Sequence, residues 1–222
     1  MRRFLLLMVV TCGAVYAYAG PTEFTFLQWN GGQWENGYPY YIQTTDNPSA
    51  LIAVMCDDYV HGGMPGDQWD ANITQLGSNN ITLTRFNNIP GTNSLYPLTL
   101  YDEAGWILLQ TQVEATNQWQ PMTYAVWNIF DPHSPCDSAC QMWISEAENA
   151  AMHQFFGADF NRVYVITPVD QHDPDPNHIQ EFLALGTDSG LLEPQGTTAP
   201  EPGTLMLMGS GLLALFGRRF LN

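Results

Sequence analysis

The sequence predicts an α+β fold: a single globular domain with N-terminal β-strands, a central block of about three helices and returning strands, plus a short C-terminal membrane-seeking helix. Three observations support this prediction. Residues 20–195 contain no internal repeat and no long linker, and a stretch of roughly 180 residues is enough for one core. The hydrophobic period changes from that of strands to that of helices and back again. Aromatic residues make up 13% of the chain, which excludes a disordered protein.

Four segments in the first part are predicted as strands. Residues 24–29 alternate and end in a turn signal, and residues 37–42 resume an aromatic extended segment. Residues 51–55 form a continuous apolar run that ends at Cys56, which is typical of a buried strand. Residues 81–86 are predicted as a further strand.

The middle of the chain is predicted to be helical. One helix covers 103–112, a second covers 121–130 with a proline in its first turn, and a third runs from about 137 to 157. Strands are predicted to return at 162–167 and 179–185. Strands followed by helices and then strands favour α+β over alternating α/β.

The N-terminus is predicted to be a secretory signal peptide over residues 1–19. Arg2 and Arg3 precede an apolar stretch, and Ala17-Tyr18-Ala19 supplies the small-x-small pattern that signal peptidase cleaves. We therefore expect an exported protein cleaved after Ala19.

The C-terminus combines three features in order. Pro200-Glu201-Pro202 precedes an apolar run, predicted as a short helix over 204–217, and Arg218 and Arg219 follow it. The run is shorter than the roughly 20 residues of a stable membrane span. Positively charged residues stay on the cytoplasmic side, so the rest of the chain is expected outside.

This tail, residues 199–222, resembles the PEP-CTERM sorting signal, which is also named after ice-binding proteins that share it. The resemblance implies recognition by an exosortase-type membrane protease, transient inner-membrane insertion and processing near the Pro-Glu-Pro motif. It also implies a final location in the periplasm, at the cell surface or outside the cell, often alongside exopolysaccharide. The body lacks the flat threonine arrays expected of an ice-binding surface.

The exported part is strongly acidic. Between residues 20 and 199, 21 acidic residues stand against Arg85 and Arg162, a formal charge of −19, and the chain has no lysine. Nucleic-acid binding needs clustered basic residues, so no nucleic-acid partner is expected. The acidic stretch 170–178 could offer oxygen and imidazole ligands to a cation, but its two prolines favour a solvated loop. We expect no metal and no cofactor.

Three cysteines remain after the signal peptide is removed. Cys136 and Cys140 are four residues apart at the start of a helix, a spacing compatible with a disulfide. Cys56 is then left as a single thiol in an oxidising compartment. Its simplest role is packing as a small apolar side chain.

Three segments, 54–59, 101–108 and 122–127, resemble the thioester adhesion domains of bacterial surface proteins. In that family a strand cysteine and a helix glutamine form an internal thioester that acylates amines. Cys56 matches the cysteine, and Ala125-Val126-Trp127 match the helix signature. Thr123 stands where the glutamine is expected, and Gln120 lies one turn earlier. The resemblance therefore implies a common fold more than a common chemistry.

The sequence contains no nucleophile elbow, phosphate loop or zinc-binding helix, so we expect no enzyme and no catalytic residue. The leading hypothesis is a cell-surface or extracellular-matrix protein with a structural or adhesive role. A secreted polysaccharide hydrolase is the alternative, and it would need two carboxylates about 5 to 10 Å apart across an open cleft. A covalent thioester adhesin is a further alternative.

Overall fold

The computed structural model describes residues 21–32, 37–88, 96–153, 158–169 and 179–186. The predicted signal peptide, the acidic stretch 170–178 and the sorting motif with its apolar helix lie outside these residues. Within them, no helix is long and apolar enough to cross a membrane.

Six strands close into an antiparallel barrel. Their order around the barrel is β1-β2-β3-β6-β5-β4. The strands are β1 (Thr22–Gln28), β2 (Tyr40–Thr44), β3 (Ile52–Cys56), β4 (Gln68–Gln75), β5 (Val163–Pro168) and β6 (Phe182–Leu185). The C-terminal strands β5 and β6 complete the barrel between β3 and β4, so closure depends on pairings between distant parts of the chain.

Three helices follow β4 in sequence and pack on one another. They are α1 (Tyr96–Gln110), α2 (Trp119–Phe130) and α3 (Ser138–Met152). Asp137 caps α3 because its side chain accepts hydrogen bonds from the N–H groups of Ala139 and Cys140. Strands and helices together confirm the predicted α+β class.

The buried side chains form two clusters, and alternation along β3 divides them. Val54 and Cys56 belong to the barrel cluster, together with the aromatic side chains of Phe24, Trp69 and Phe182. Met55 points the other way, into the helix cluster that α1, α2 and α3 form against the sheet. This division puts the side chain of Cys56 on the barrel side of the sheet.

The predicted strand over 81–86 is wrong, because this segment forms consecutive turns. The Thr82 N–H and hydroxyl both donate to Asn80 Oδ1, and the Thr84 hydroxyl donates to the Ile81 carbonyl oxygen at 2.8 Å. Such local side-chain hydrogen bonds offer the backbone an alternative to a strand ladder.

Strand β4 was not predicted from the sequence, because its residues QWDANITQ include Asp and Asn, which are depleted in strands. Its pairing with both β1 and β5 overrides that weak preference.

Two other boundaries differ from the prediction. Helix α1 begins at Tyr96, seven residues before the predicted start at Glu103, with Pro97 in its first turn. Strand β6 begins at Phe182, whereas Ile179 makes an isolated bridge to Gly62. Gln180 directly follows this bridge.

Candidate functional site

Cys56 lies where β3 leaves the barrel. It pairs with Phe182 of β6, and the Asp57 N–H donates to the Glu181 carbonyl oxygen at 3.4 Å. Continuing this antiparallel register sets Gln180 opposite Asp58. Gln180 is then the diagonal neighbour of Cys56, a position within reach of its side chain.

The thiol of Cys56 contacts the carboxamide of Gln180. The Sγ donates to Gln180 Oε1 at 3.0 Å and lies 3.1 Å from the Asp58 carbonyl oxygen. The Asp58 N–H donates to the same Sγ at 3.3 Å. Cys56 is fully buried and Gln180 is 7% exposed, so little water reaches the contact.

Burial, with Asp57 and Asp58 nearby, raises the pKa of the Cys56 thiol well above its ordinary value. Hydrogen bonds to the Asp58 backbone and to the Trp127 side chain lower this pKa by a smaller amount. Cys56 is therefore a neutral thiol near pH 7. A neutral thiol is a weak nucleophile until its proton is removed.

Arg85 holds the two segments of the site together. Its Nη1 pairs with Asp58 Oδ2, and its Nη2 donates to the Ile179 carbonyl oxygen at 2.8 Å. Its backbone N–H also donates to Glu181 Oε2 at 2.8 Å. One of the two basic residues in the exported part therefore clamps the end of β3 to the segment that carries Gln180.

Asp57 and Glu181 form a buried carboxyl pair on the opposite side of the sheet. Glu181 accepts hydrogen bonds from Tyr101, Thr167 and the Arg85 N–H, which stabilise its ionised form. Burial and Glu181 raise the pKa of Asp57 well above its ordinary value. Burial also raises the pKa of Glu181, although its hydrogen bonds act in the opposite direction. Asp58 has different surroundings, because it pairs with Arg85 and His61.

A cavity of about 500 Å³ opens beside Gln180. Aromatic side chains form part of its wall, namely Trp29, Tyr40, Tyr59 and Trp127. Asp58, His61 and Asp67 supply its titratable groups besides the tyrosines. Gln180 is itself one of the residues that line this cavity.

The remaining residues of the predicted site have other positions. The Gln120 Nε2 donates to the Tyr124 hydroxyl at 3.3 Å on the exposed side of α2, so Gln120 is not the partner of Cys56. Thr123 is fully buried and accepts a hydrogen bond from the Tyr38 N–H. Trp127 lies in the barrel cluster with Cys56.

Cys136 and Cys140 form a disulfide with a Cα–Cα distance of 5.2 Å, as their spacing predicts. Cys56 takes no part in it. In the described part of the chain, no group of three His, Cys, Asp or Glu side chains is placed to hold a metal ion.

Sequence reasoning did not select Gln180. The available signal was a polar residue on the apolar face of a period-2 pattern, because Phe182 and Ala184 continue that face into the barrel cluster.

The PEP-CTERM protein-sorting motif matches residues 198–219. This chain carries an exosortase sorting signal. It is an exported protein that is anchored transiently at the membrane and processed by an exosortase-type system.

Among solved structures, the exported domain is similar to the N-terminal thioester domain of surface protein from Clostridium perfringens. The two share 14% identity with a TM-score of 0.39, over 75% of this chain and 98% of that chain. A comparison with curated protein sequences finds no match.

Proposed function

We propose that the exported domain is a covalent adhesin whose Cys56 and Gln180 form an internal thioester. One observation carries the proposal: the buried Cys56 Sγ lies 3.0 Å from Gln180 Oε1. The thiol and the carboxamide are thus held in hydrogen-bond contact by two paired segments of the barrel.

The reaction requires no reagent besides the two side chains. The Cys56 Sγ attacks the carboxamide carbon of Gln180, a C–S bond forms and the C–N bond breaks. The thiol proton goes to the departing nitrogen, and ammonia leaves. Exclusion of water protects the resulting thioester from hydrolysis, and both partners are buried.

The polar surroundings of Cys56 favour this role over simple packing. A structural cysteine behaves as a small apolar side chain. Cys56 instead contacts the Gln180 carboxamide and both backbone groups of Asp58. These contacts orient the sulfur toward Gln180.

The hydrolase alternative gains no support from the cavity. Asp58 is paired with Arg85 and His61, and Asp67 accepts a hydrogen bond from the Met64 N–H at 2.6 Å. Both carboxylates in the cavity wall therefore hold the protein's own groups. The hydrolase stays an untested prediction.

Intact-mass measurement of the purified protein tests the proposal. We expect the wild-type chain to be lighter than its sequence mass by the mass of ammonia, beyond the disulfide. Methylamine should add its own mass to the thioester form, which turns the deficit into a net gain of one CH2 group relative to the sequence mass. Peptide mapping should place the cross-link between Cys56 and Gln180.

Cys56→Ser and Gln180→Ala should lack the deficit, whereas the matched control Gln120→Ala should retain it. A wild-type protein of full sequence mass, with one thiol that titrates after denaturation, would overturn the proposal.

A further inference from the structure

A histidine–carboxylate pair lies in the wall of the cavity beside Gln180. The His61 Nδ1 is 2.7 Å from Asp58 Oδ2. When Nδ1 carries the proton and donates to Asp58, the lone pair of the neutral ring is on Nε2. His61 thereby offers a proton acceptor, and its side chain is 24% exposed.

The position of this histidine is fixed relative to both reacting residues. Its backbone N–H donates to Asp58 Oδ1 at 3.2 Å, and the backbone of Asp58 contacts the Cys56 Sγ. On the other side, Gly62 makes a β-bridge to Ile179. Gly62, directly after His61, is therefore paired with Ile179, directly before Gln180.

The remaining lining suits a cationic chain. Tyr40, Tyr59 and Trp127 line the cavity, and Asp67 adds a carboxylate. Aromatic rings attract ammonium groups. Burial raises the pKa of Tyr40, which keeps its ring neutral. The −19 charge of the exported part draws cations toward this surface.

The chain itself contains no lysine. An acylating group that reacts with side-chain amines therefore finds none in its own chain or in a second copy. A side-chain amine that accepts the acyl group therefore belongs to a different molecule.

We propose that this cavity is the acceptor site of the thioester, that it takes a primary amine on a cationic aliphatic chain of another molecule, and that His61, oriented by Asp58, is the proton acceptor. The inference rests on the proposed Cys56–Gln180 thioester. The amine nitrogen attacks the thioester carbon, the C–S bond breaks and an amide bond forms. The amine proton passes to His61 Nε2 and then to the departing sulfur of Cys56.

Proton transfer to the leaving sulfur has a structural reason. The buried thiol has a raised pKa, so a thiolate would be a poor leaving group in this environment. His61 contacts the carboxylate of Asp58 and Cys56 contacts its backbone carbonyl oxygen, so the histidine and the sulfur adjoin the same residue.

The test measures aminolysis separately from thioester formation. His61→Ala should keep the ammonia mass deficit but react with methylamine about 100-fold more slowly. Added imidazole should restore part of the rate in this variant alone. The matched control is His133→Ala, because His133 also contacts an aspartate through Nδ1, at 3.3 Å, but is 95% exposed.

Substrate class is tested with two amines of equal length, 1,5-diaminopentane and 5-aminopentanoate. The diamine should react several-fold faster with the wild type, and Asp67→Asn should reduce this preference. Equal rates for both amines would overturn the assignment of a cationic acceptor.

The possible failures are distinguishable. A wild-type protein without the mass deficit contradicts the proposed function itself. A deficit together with equal aminolysis rates in wild type, His61→Ala and His133→Ala contradicts only the role of His61. If His61→Ala does not fold, His61→Asn keeps a donor for Asp58 without an imidazole base, and an unchanged rate there contradicts the role equally.

Discussion

The Tyr38 N–H donates to Thr123 Oγ1 at 2.9 Å, and this hydroxyl in turn donates to the Trp119 carbonyl oxygen at 2.9 Å. Thr123 occupies the helix position that the thioester-domain resemblance assigns to a glutamine. Its hydroxyl instead links the segment before β2 to helix α2 through these two hydrogen bonds.

Thr123→Val should destabilise the protein by about 1 to 3 kcal/mol. Valine has a similar shape but leaves the Tyr38 N–H without its acceptor in a partly buried position. Urea unfolding monitored by Trp fluorescence measures the change. Thr116→Val, at an exposed position, is the control and should change stability little. Equal stability of the two variants would contradict this role of the hydroxyl.

Gly37→Ala should be more destabilising than Gly32→Ala. Both glycines have left-handed backbone angles, with φ of 70° and 78°, so alanine costs about 1 to 2 kcal/mol of backbone strain at either position. At Gly37 an added Cβ would also lie 2.7 Å from Thr123 Oγ1, whereas an added Cβ at Gly32 would meet no heavy atom within 4 Å among the described residues. Overpacking adds about 1 to 3 kcal/mol. Similar unfolding midpoints for the two variants would show that the close approach to Thr123 is unimportant.

Arg85→Gln should destabilise the protein by about 3 to 5 kcal/mol, because Asp58 would remain buried without its charged partner. Arg162→Gln is the matched control, since Arg162 Nε donates to a neutral acceptor, the Gly186 carbonyl oxygen, at 3.2 Å. Its expected cost is about 1 kcal/mol. Chemical denaturation of both variants at the same pH measures the two changes in the free energy of unfolding. Loss of the mass deficit in a folded Arg85→Gln protein would show that Arg85 also positions Cys56 and Gln180 for thioester formation.

Stability should fall as the pH rises from about 5 to 8. Burial raises the pKa of Asp102 and of Glu103 to about 7, and Glu148 contributes at Glu103. The folded state therefore holds protons that the unfolded state has already released. The stabilisation is complete below the ordinary carboxyl pKa and is lost as the pH rises through about 7.

Melting temperatures across this pH range test the prediction. Glu103→Gln should flatten the dependence, because glutamine resembles the protonated acid, whereas the exposed control Glu114→Gln should leave it unchanged. A melting temperature that rises with pH would have the wrong sign for these groups.

The native product should lack residues 1–19 and the segment beyond about Pro200. The pattern Ala17-Tyr18-Ala19 predicts cleavage by signal peptidase after Ala19, and the sorting motif matches 198–219. Intact-mass measurement of protein from the native envelope gives both ends. In a host without exosortase, the tail should remain and retain the protein at the inner membrane. Full-length chain recovered from the native source would contradict this processing.

The sequence by itself determined the features that neighbouring residues encode. Three short features in order mark the sorting tail, which the motif match at 198–219 confirms, whereas the signal peptide stays a prediction. The α+β class follows from local periodicity, and the Cys136–Cys140 disulfide follows from a spacing of four residues.

Only the tertiary structure decided which glutamine meets Cys56. Gln180 is 124 residues away, and the period-2 pattern that marks it as a polar residue on an apolar face does not indicate its partner before β3 pairs with β6. A register shifted by one residue would turn its side chain to the opposite face of the sheet. The closed barrel fixes that register, and Arg85 reinforces it by joining Asp58 to Ile179. The site is therefore a product of long-range strand pairing, which local sequence patterns do not contain.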